Sequence, residues 1–211
     1  MAVKRVPANK GKRYSATVLT ASEFKRLLAQ IDGDSATAIR NRALILTIYR
    51  GALRVAEGLS LRPADVDLDS GRLHVRNGKG SRSRTVGLDG GALKALERWM
   101  AKRDELGWGD GAYLFGALYS RSGAEPGGEL HPAYLRRLLP KLADKAGIDK
   151  RVHPHMLRHT RAHELSAEGV PVSVIQKALG HRSIGTTSTY LDHVSAADVV
   201  AAMGGKRGRR D

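Results

Sequence analysis

The sequence predicts a mainly α-helical protein with one small antiparallel β-hairpin or sheet, on three observations. Apolar residues recur at helical spacing along most of the 211 residues. The period changes to two only between residues 72 and 86. The chain has no cysteine, so packing must hold it together, and thiolate nucleophiles and Cys-ligated zinc are excluded. No window approaches the roughly 18 apolar residues of a membrane span, and the start Met1-Ala2-Val3-Lys4-Arg5 lacks the apolar stretch of a signal peptide. A soluble, cytoplasmic protein is expected.

The elements follow in order. Thr20 reads as an N-cap with Glu23 completing a capping box, while Leu19 and Phe24 occupy the two positions of a hydrophobic staple. A second helix is expected from Ala36 to Arg50, interrupted at Gly51 before a short helical segment from Arg54 to Leu59. Residues 72–76 and 82–86 flank Asn77-Gly78-Lys79-Gly80, the composition of a hairpin with a tight turn at its tip. Helices near Ala92–Leu106 and Pro132–Ala146 are joined by a Gly-rich loop at 120–129. Short helices are expected from Pro154 to about 168 and at 171–179, 185–192 and 195–203. Residues 17–203 form the expected domain, between a basic N-terminal tail (1–16) and a basic C-terminal tail (204–211).

Charge points to the partner. The net charge is +15, and residues 1–13 and 204–211 carry +5 and +3 of it, so the body between them still holds +7. An excess of this size fits a polyanion, and nucleic acid is the commonest. An acidic membrane surface is the minor alternative. Readers of RNA and single strands stack bases on aromatic platforms, whereas this chain has two Phe, two Trp and six Tyr. Duplex DNA is therefore favoured.

Six of the eight histidines fall between residues 153 and 193. His155, His159 and His163 share one helical face, which invites a metal reading. Against it, residues 159–164 are not His-Glu-x-x-His, and Arg158 and Arg161 would set cations beside the metal. His155 and Arg158, at i and i+3, can instead project toward one phosphate, the guanidinium gripping its oxygens and the imidazole adding a hydrogen bond.

The whole set of motifs resembles the tyrosine recombinase, or phage integrase, family over residues 17 to about 203. Gly51-Ala52-Leu53-Arg54-Val55-Ala56-Glu57-Gly58-Leu59 is similar to the segment bearing the family's first catalytic arginine, at Arg54, with Glu57 as its acidic companion. Gly78-Lys79-Gly80-Ser81-Arg82-Ser83-Arg84 resembles the family's lysine-bearing hairpin. His155-Met156-Leu157-Arg158-His159 matches the His-x-Leu-Arg-His box, and Leu179-Gly180-His181 with Tyr190 nine residues later matches the final box. Four boxes in the family's order are far more specific than one short motif.

The resemblance implies the catalytic-domain fold of the DNA breaking-rejoining enzymes and a site-specific recombinase or integrase that works without metal, cofactor or ATP. Tyr190 is implied as the nucleophile, Arg54 and Arg158 as clamps on the phosphate, and Lys79 as the acid that protonates the leaving oxygen. His155 and His181 are implied donors to the phosphate, His155 also as general base, with Glu57 and His159 in support. Lys10, Lys12, Arg13, Arg82 and Arg84 are expected to contact the DNA backbone. The family's helical core-binding module is not expected ahead of the first helix; the basic tails, or an accessory DNA-binding protein, would supply that grip. Ala52 and Gly58 depart from the family's more usual Gly and Leu, with no expected effect on the chemistry. The family's working assembly is a homotetramer on two duplexes, and a bacterial, archaeal or phage-encoded protein associated with the nucleoid is implied. Two alternatives stay open: a type IB topoisomerase-like relaxase acting as a monomer, and a DNA-binding protein that only occupies sites.

Overall fold

Helix α2 (Ala36–Arg50) is the centre of the molecule, and Ala43, Leu44, Ile45 and Ile48 along it are fully buried. A helix apolar on several sides must be covered on several sides, and α2 packs against α3 (Val55–Ser60), α4 (Gly90–Glu105) and α6 (Pro154–Ala167). Each of the leucine and isoleucine side chains so removed from water stabilises the fold by about 1.5–3 kcal/mol. The computed structural model describes residues 18–76, 83–119 and 125–180. The hairpin tip, the start of the Gly-rich loop, both charged termini and the expected helices at 185–192 and 195–203 lie outside the described residues.

Local chemistry sets the helix starts. α1 (Ala21–Ala29) opens with the expected capping box: Thr20 Oγ1 accepts from the Glu23 amide at 3.1 Å, and Glu23 accepts from the Thr20 amide at 2.7 Å. Leu19 and Phe24 are both buried beside it. α4 begins two residues before the expected Ala92, because Asp89 caps it, accepting from the Ala92 amide at 2.9 Å. α5 (Ala133–Lys145) and α7 (Val172–Leu179) complete the α-helices among the described residues.

The expected hairpin belongs to a three-stranded antiparallel sheet, β1 (Val66–Asp67), β2 (Arg72–Val75) and β3 (Arg84–Gly87). The two-residue β1 follows a 3-10 turn at Pro63–Asp65 and was not expected. Leu73 pairs with Val86 and Val75 with Arg84, and Leu73, Val75 and Val86 are buried on one face.

Side-chain bonds fix α6 against its neighbours. Tyr49 Oη donates to Glu164, and Arg161 donates to Glu164 at 3.1 Å and to Glu168 at 2.9 Å. Thr160 Oγ1 accepts from the Leu19 amide at 3.0 Å and donates to the Met156 carbonyl at 2.9 Å. α7 packs on α6 and β3. The end of α2, the start of α3, β3, α6 and the end of α7 therefore converge. Among the described residues, no helix is long and apolar enough to cross a membrane.

Candidate active site

The convergence starts at the end of α2. The Ala52 amide donates to the Tyr49 carbonyl at 3.1 Å and the Leu53 amide to the Ile48 carbonyl at 2.9 Å, which is a Schellman motif with Ala52 at the position that favours glycine. Ala52 has φ +48°, the left-handed region. That turn delivers Arg54 to the start of α3, where its amide donates to Glu57 Oε2 at 2.7 Å and its Nη1 to Glu57 Oε1 at 2.8 Å. The Arg54 side chain keeps 43% of its surface exposed.

Glu57 is the hub. Its carboxylate is 9% exposed and also accepts from Arg84 Nη1 at 3.0 Å and Nη2 at 2.9 Å, a bidentate pair. Arg158 Nη1 lies 3.7 Å from Oε2. Burial by itself would raise the Glu57 pKa; the bonds from Arg84 and Arg54 override it and hold it down to about 2. Glu57 is thus an anion that keeps guanidiniums in place.

Arg158 leaves α6 into the interior, 1% exposed, with Nη1 donating to the Ala52 carbonyl at 2.8 Å and Nη2 to the Leu179 carbonyl. It therefore joins the end of α2 to the end of α7, where Gly180 takes a left-handed φ of +63° immediately before His181. His155, one helical turn before His159, is exposed and its ring meets that of His159 edge to face at 4.2 Å. Partial desolvation first, then the positive charges of Arg158, His153 and Arg54, lower the His155 pKa from its ordinary 6.5. A neutral imidazole at pH 7 can accept a proton. His153 caps α6, its Nδ1 accepting from the Met156 amide at 3.3 Å.

The structure thus brings together Arg54, Glu57 and Arg158, with His155 and His159 on the same helix as Arg158. Lys79, His181, Tyr190, Lys10, Lys12, Arg13 and Arg82 lie outside the described residues. Arg84, expected to contact the DNA backbone, turns its guanidinium inward onto Glu57. The signal was in the strand period, since residue 84 shares a face with the buried Val86. The backbone carbonyl of Ala52 holds Arg158, a bond that the family's more usual Gly would make equally. Gly58 has a spatial reason: a Cβ there would come within 2.8 Å of Ile48 Cγ1, so leucine does not fit against this α2. His155, His159 and His163 do not form a metal cluster: among the described residues no three His, Asp or Glu side chains are grouped to hold an ion.

The model of the phage integrase family matches residues 17–196. The chain is 35% identical over 172 residues to tyrosine recombinase XerA of Pyrococcus furiosus, a match that covers 82% of this chain and 56% of the relative. It is 36% identical over 183 residues to tyrosine recombinase XerC of Halalkalibacterium halodurans, covering 86% of this chain and 59% of the relative. The chain thus spans less than two thirds of the length of these relatives. Among solved structures, XerA recombinase superposes with a TM-score of 0.75 at 29% identity, covering 98% of this chain and 70% of that one. XerH bound to its palindromic difH substrate, a post-cleavage complex, superposes with a TM-score of 0.72 at 27% identity, covering 90% and 53%. The fold is also that of the catalytic domain of bacteriophage HP1 integrase, with a TM-score of 0.59 at 19% identity over 94% of that chain. On its match to the family model and to these relatives, the chain belongs to the phage integrase family, the tyrosine recombinases.

Proposed function

We propose that this chain is a site-specific recombinase that cuts and rejoins double-stranded DNA through a 3′-phosphotyrosyl intermediate, with Tyr190 as nucleophile. The observation that carries the reading is the grouping of Arg54 and Arg158 about one buried carboxylate, Glu57. Attack by a phenolate on a phosphodiester adds negative charge to the non-bridging oxygens. Fixed guanidiniums offset that charge without reorganising, the part often taken by Mg²⁺ in phosphoryl transfer.

In this mechanism Arg54 and Arg158 hold the scissile phosphate, His181 adds a hydrogen bond and His155, neutral at pH 7, takes the tyrosine proton. Lys79 protonates the leaving 5′ oxygen. The phosphotyrosyl ester conserves the energy of the broken bond, so a 5′-hydroxyl of another strand reseals it without ATP. Residues 17–203 form the catalytic unit, and the basic tails grip the backbone. The working assembly is a homotetramer on two duplexes at the nucleoid.

The test is covalent capture. On a nicked duplex bearing its site, the protein becomes linked to a 3′ end in excess EDTA, and Tyr190→Phe binds equally without linking. A link that survives Tyr190→Phe, or that requires added Mg²⁺ or Zn²⁺, overturns the reading.

A further inference from the structure

Arg84 has no part in the roles derived so far. It leaves β3 opposite Val75, and its side chain is 9% exposed. Each nitrogen of its guanidinium is engaged: Nη1 and Nη2 on Glu57, and Nε on the Ala178 carbonyl at 2.7 Å. The backbone of α7's last turn rests on it, since a Cβ at Gly180 would stand 3.0 Å from Nη1 and 3.3 Å from Cζ.

One guanidinium therefore reaches both arginines of the clamp. Glu57, which it binds bidentately, is the same carboxylate that Arg54 bonds. Ala178, whose carbonyl it binds, precedes Leu179, whose carbonyl accepts from Arg158. Arg84 also stands five residues after Lys79 in the chain, and Gly180 immediately precedes His181. The planar fork matters here, because a lysine would offer a point charge where three directed bonds are made.

We propose that Arg84 is a positioning residue for strand cleavage, acting through Glu57 and the end of α7 on the phosphate clamp and making no contact with DNA itself. The proposal rests on the reading of Arg54 as a phosphate clamp. A displacement of about 1 Å in such a group costs on the order of 100-fold in rate.

The experiment measures DNA affinity and single-turnover cleavage of a nicked duplex at saturating protein. Wild type is compared with Arg84→Gln, Arg84→Lys, Arg54→Ala and the Arg54→Ala/Arg84→Gln pair. Arg84→Gln is expected to cleave on the order of 100-fold more slowly with unchanged affinity, and Arg84→Lys to recover only part of the rate. The losses in the double variant should be less than additive, because the route through Glu57 to Arg54 is already lost while the route through the end of α7 to Arg158 remains. A readout without DNA accompanies this: by carboxyl NMR the Glu57 pKa rises from about 2 in both Arg84 variants. Weaker, less salt-dependent binding with normal cleavage at saturation overturns the proposal and makes Arg84 a backbone contact. Additive losses in the double variant, or an unmoved Glu57 titration, overturn it as well. Should Arg84→Gln fail to fold, Arg84→Lys decides: slow cleavage with a raised Glu57 pKa supports the proposal, and wild-type cleavage ends it. An Arg54→Ala variant that cleaves normally is a different failure, that of the clamp reading.

Discussion

Arg158 Nη1 donates at 2.8 Å to the carbonyl of Ala52, a residue held at φ +48°. Arg158 is thus anchored to the one non-glycine residue in left-handed conformation among the described residues. A Cβ in that conformation costs roughly 1–2 kcal/mol. Ala52→Gly removes that cost and adds part of it back as unfolded-state entropy, about 0.4–1 kcal/mol. The expected result is a net gain of about 0.5–1 kcal/mol, seen as a melting temperature higher by about 1–4 °C in calorimetry. An unchanged or lower melting temperature would show that the turn carries no such strain.

Glu57 should govern acid stability. Its folded pKa, about 2, lies below the ordinary 4.5, so the stabilisation is fully present above pH 4.5 and disappears as pH falls toward 2. It amounts to about 3 kcal/mol at neutral pH. Glu57→Gln leaves Arg84 and Arg158 buried without their anion, and is expected to lose about 3–5 kcal/mol at pH 7. Its urea midpoint should then change less than that of wild type between pH 4.5 and 2. Parallel acid profiles for the two proteins would contradict the assignment.

On the proposed mechanism, His155 should set the acid limb of cleavage. Its pKa is lowered from 6.5, so the neutral form persists below that pH, and the single-turnover rate should fall only at pH values under 6.5. The same shift destabilises the fold as pH drops past 6.5, because the unfolded chain then binds the proton more readily. His155→Gln should slow cleavage by about 100-fold and abolish that limb. A limb that persists in His155→Gln belongs to another group.

The charged N-terminus should be read by salt. Deleting residues 1–13 removes five positive charges. If about four of them touch phosphates, the slope of log K against log salt flattens by about 3.6, while cleavage by DNA-saturated protein is unchanged. An unaltered slope would shift the extra grip to an accessory protein.

What was legible in the sequence was local chemistry. The capping box at Thr20 and Glu23 is a contact between residues three apart, so it reads directly from the chain. The bounds of α2 read equally well, because its apolar positions precede a glycine that interrupts them. β1 was missed because a two-residue strand exists only through its pairing with β2. The bond from Arg158 to the Ala52 carbonyl is not legible in the sequence, because the two residues stand 106 apart. The inward turn of Arg84 is legible by alternation with the buried Val86, against the outward placement that its charge in a basic stretch beside Lys79 suggests. Position 58 reads as a departure from leucine in the sequence and as a fit to Ile48 in the fold.

A chain whose proposed chemistry turns on one phenolate contains six phenols. Tyr49 stands five residues before Arg54, close enough in sequence to be a rival for the phosphate. It is 1% exposed, stacked on Phe24 at 3.8 Å, and donates its proton to Glu164. Burial, then the bond to that carboxylate, raises its pKa well above the ordinary 10. The proton that stitches α2 to α6 is thereby the proton that keeps this bystander chemically silent. In a Tyr190→Phe background, Tyr49 then offers no substitute attack, and an adduct that remained would have to come from another phenol.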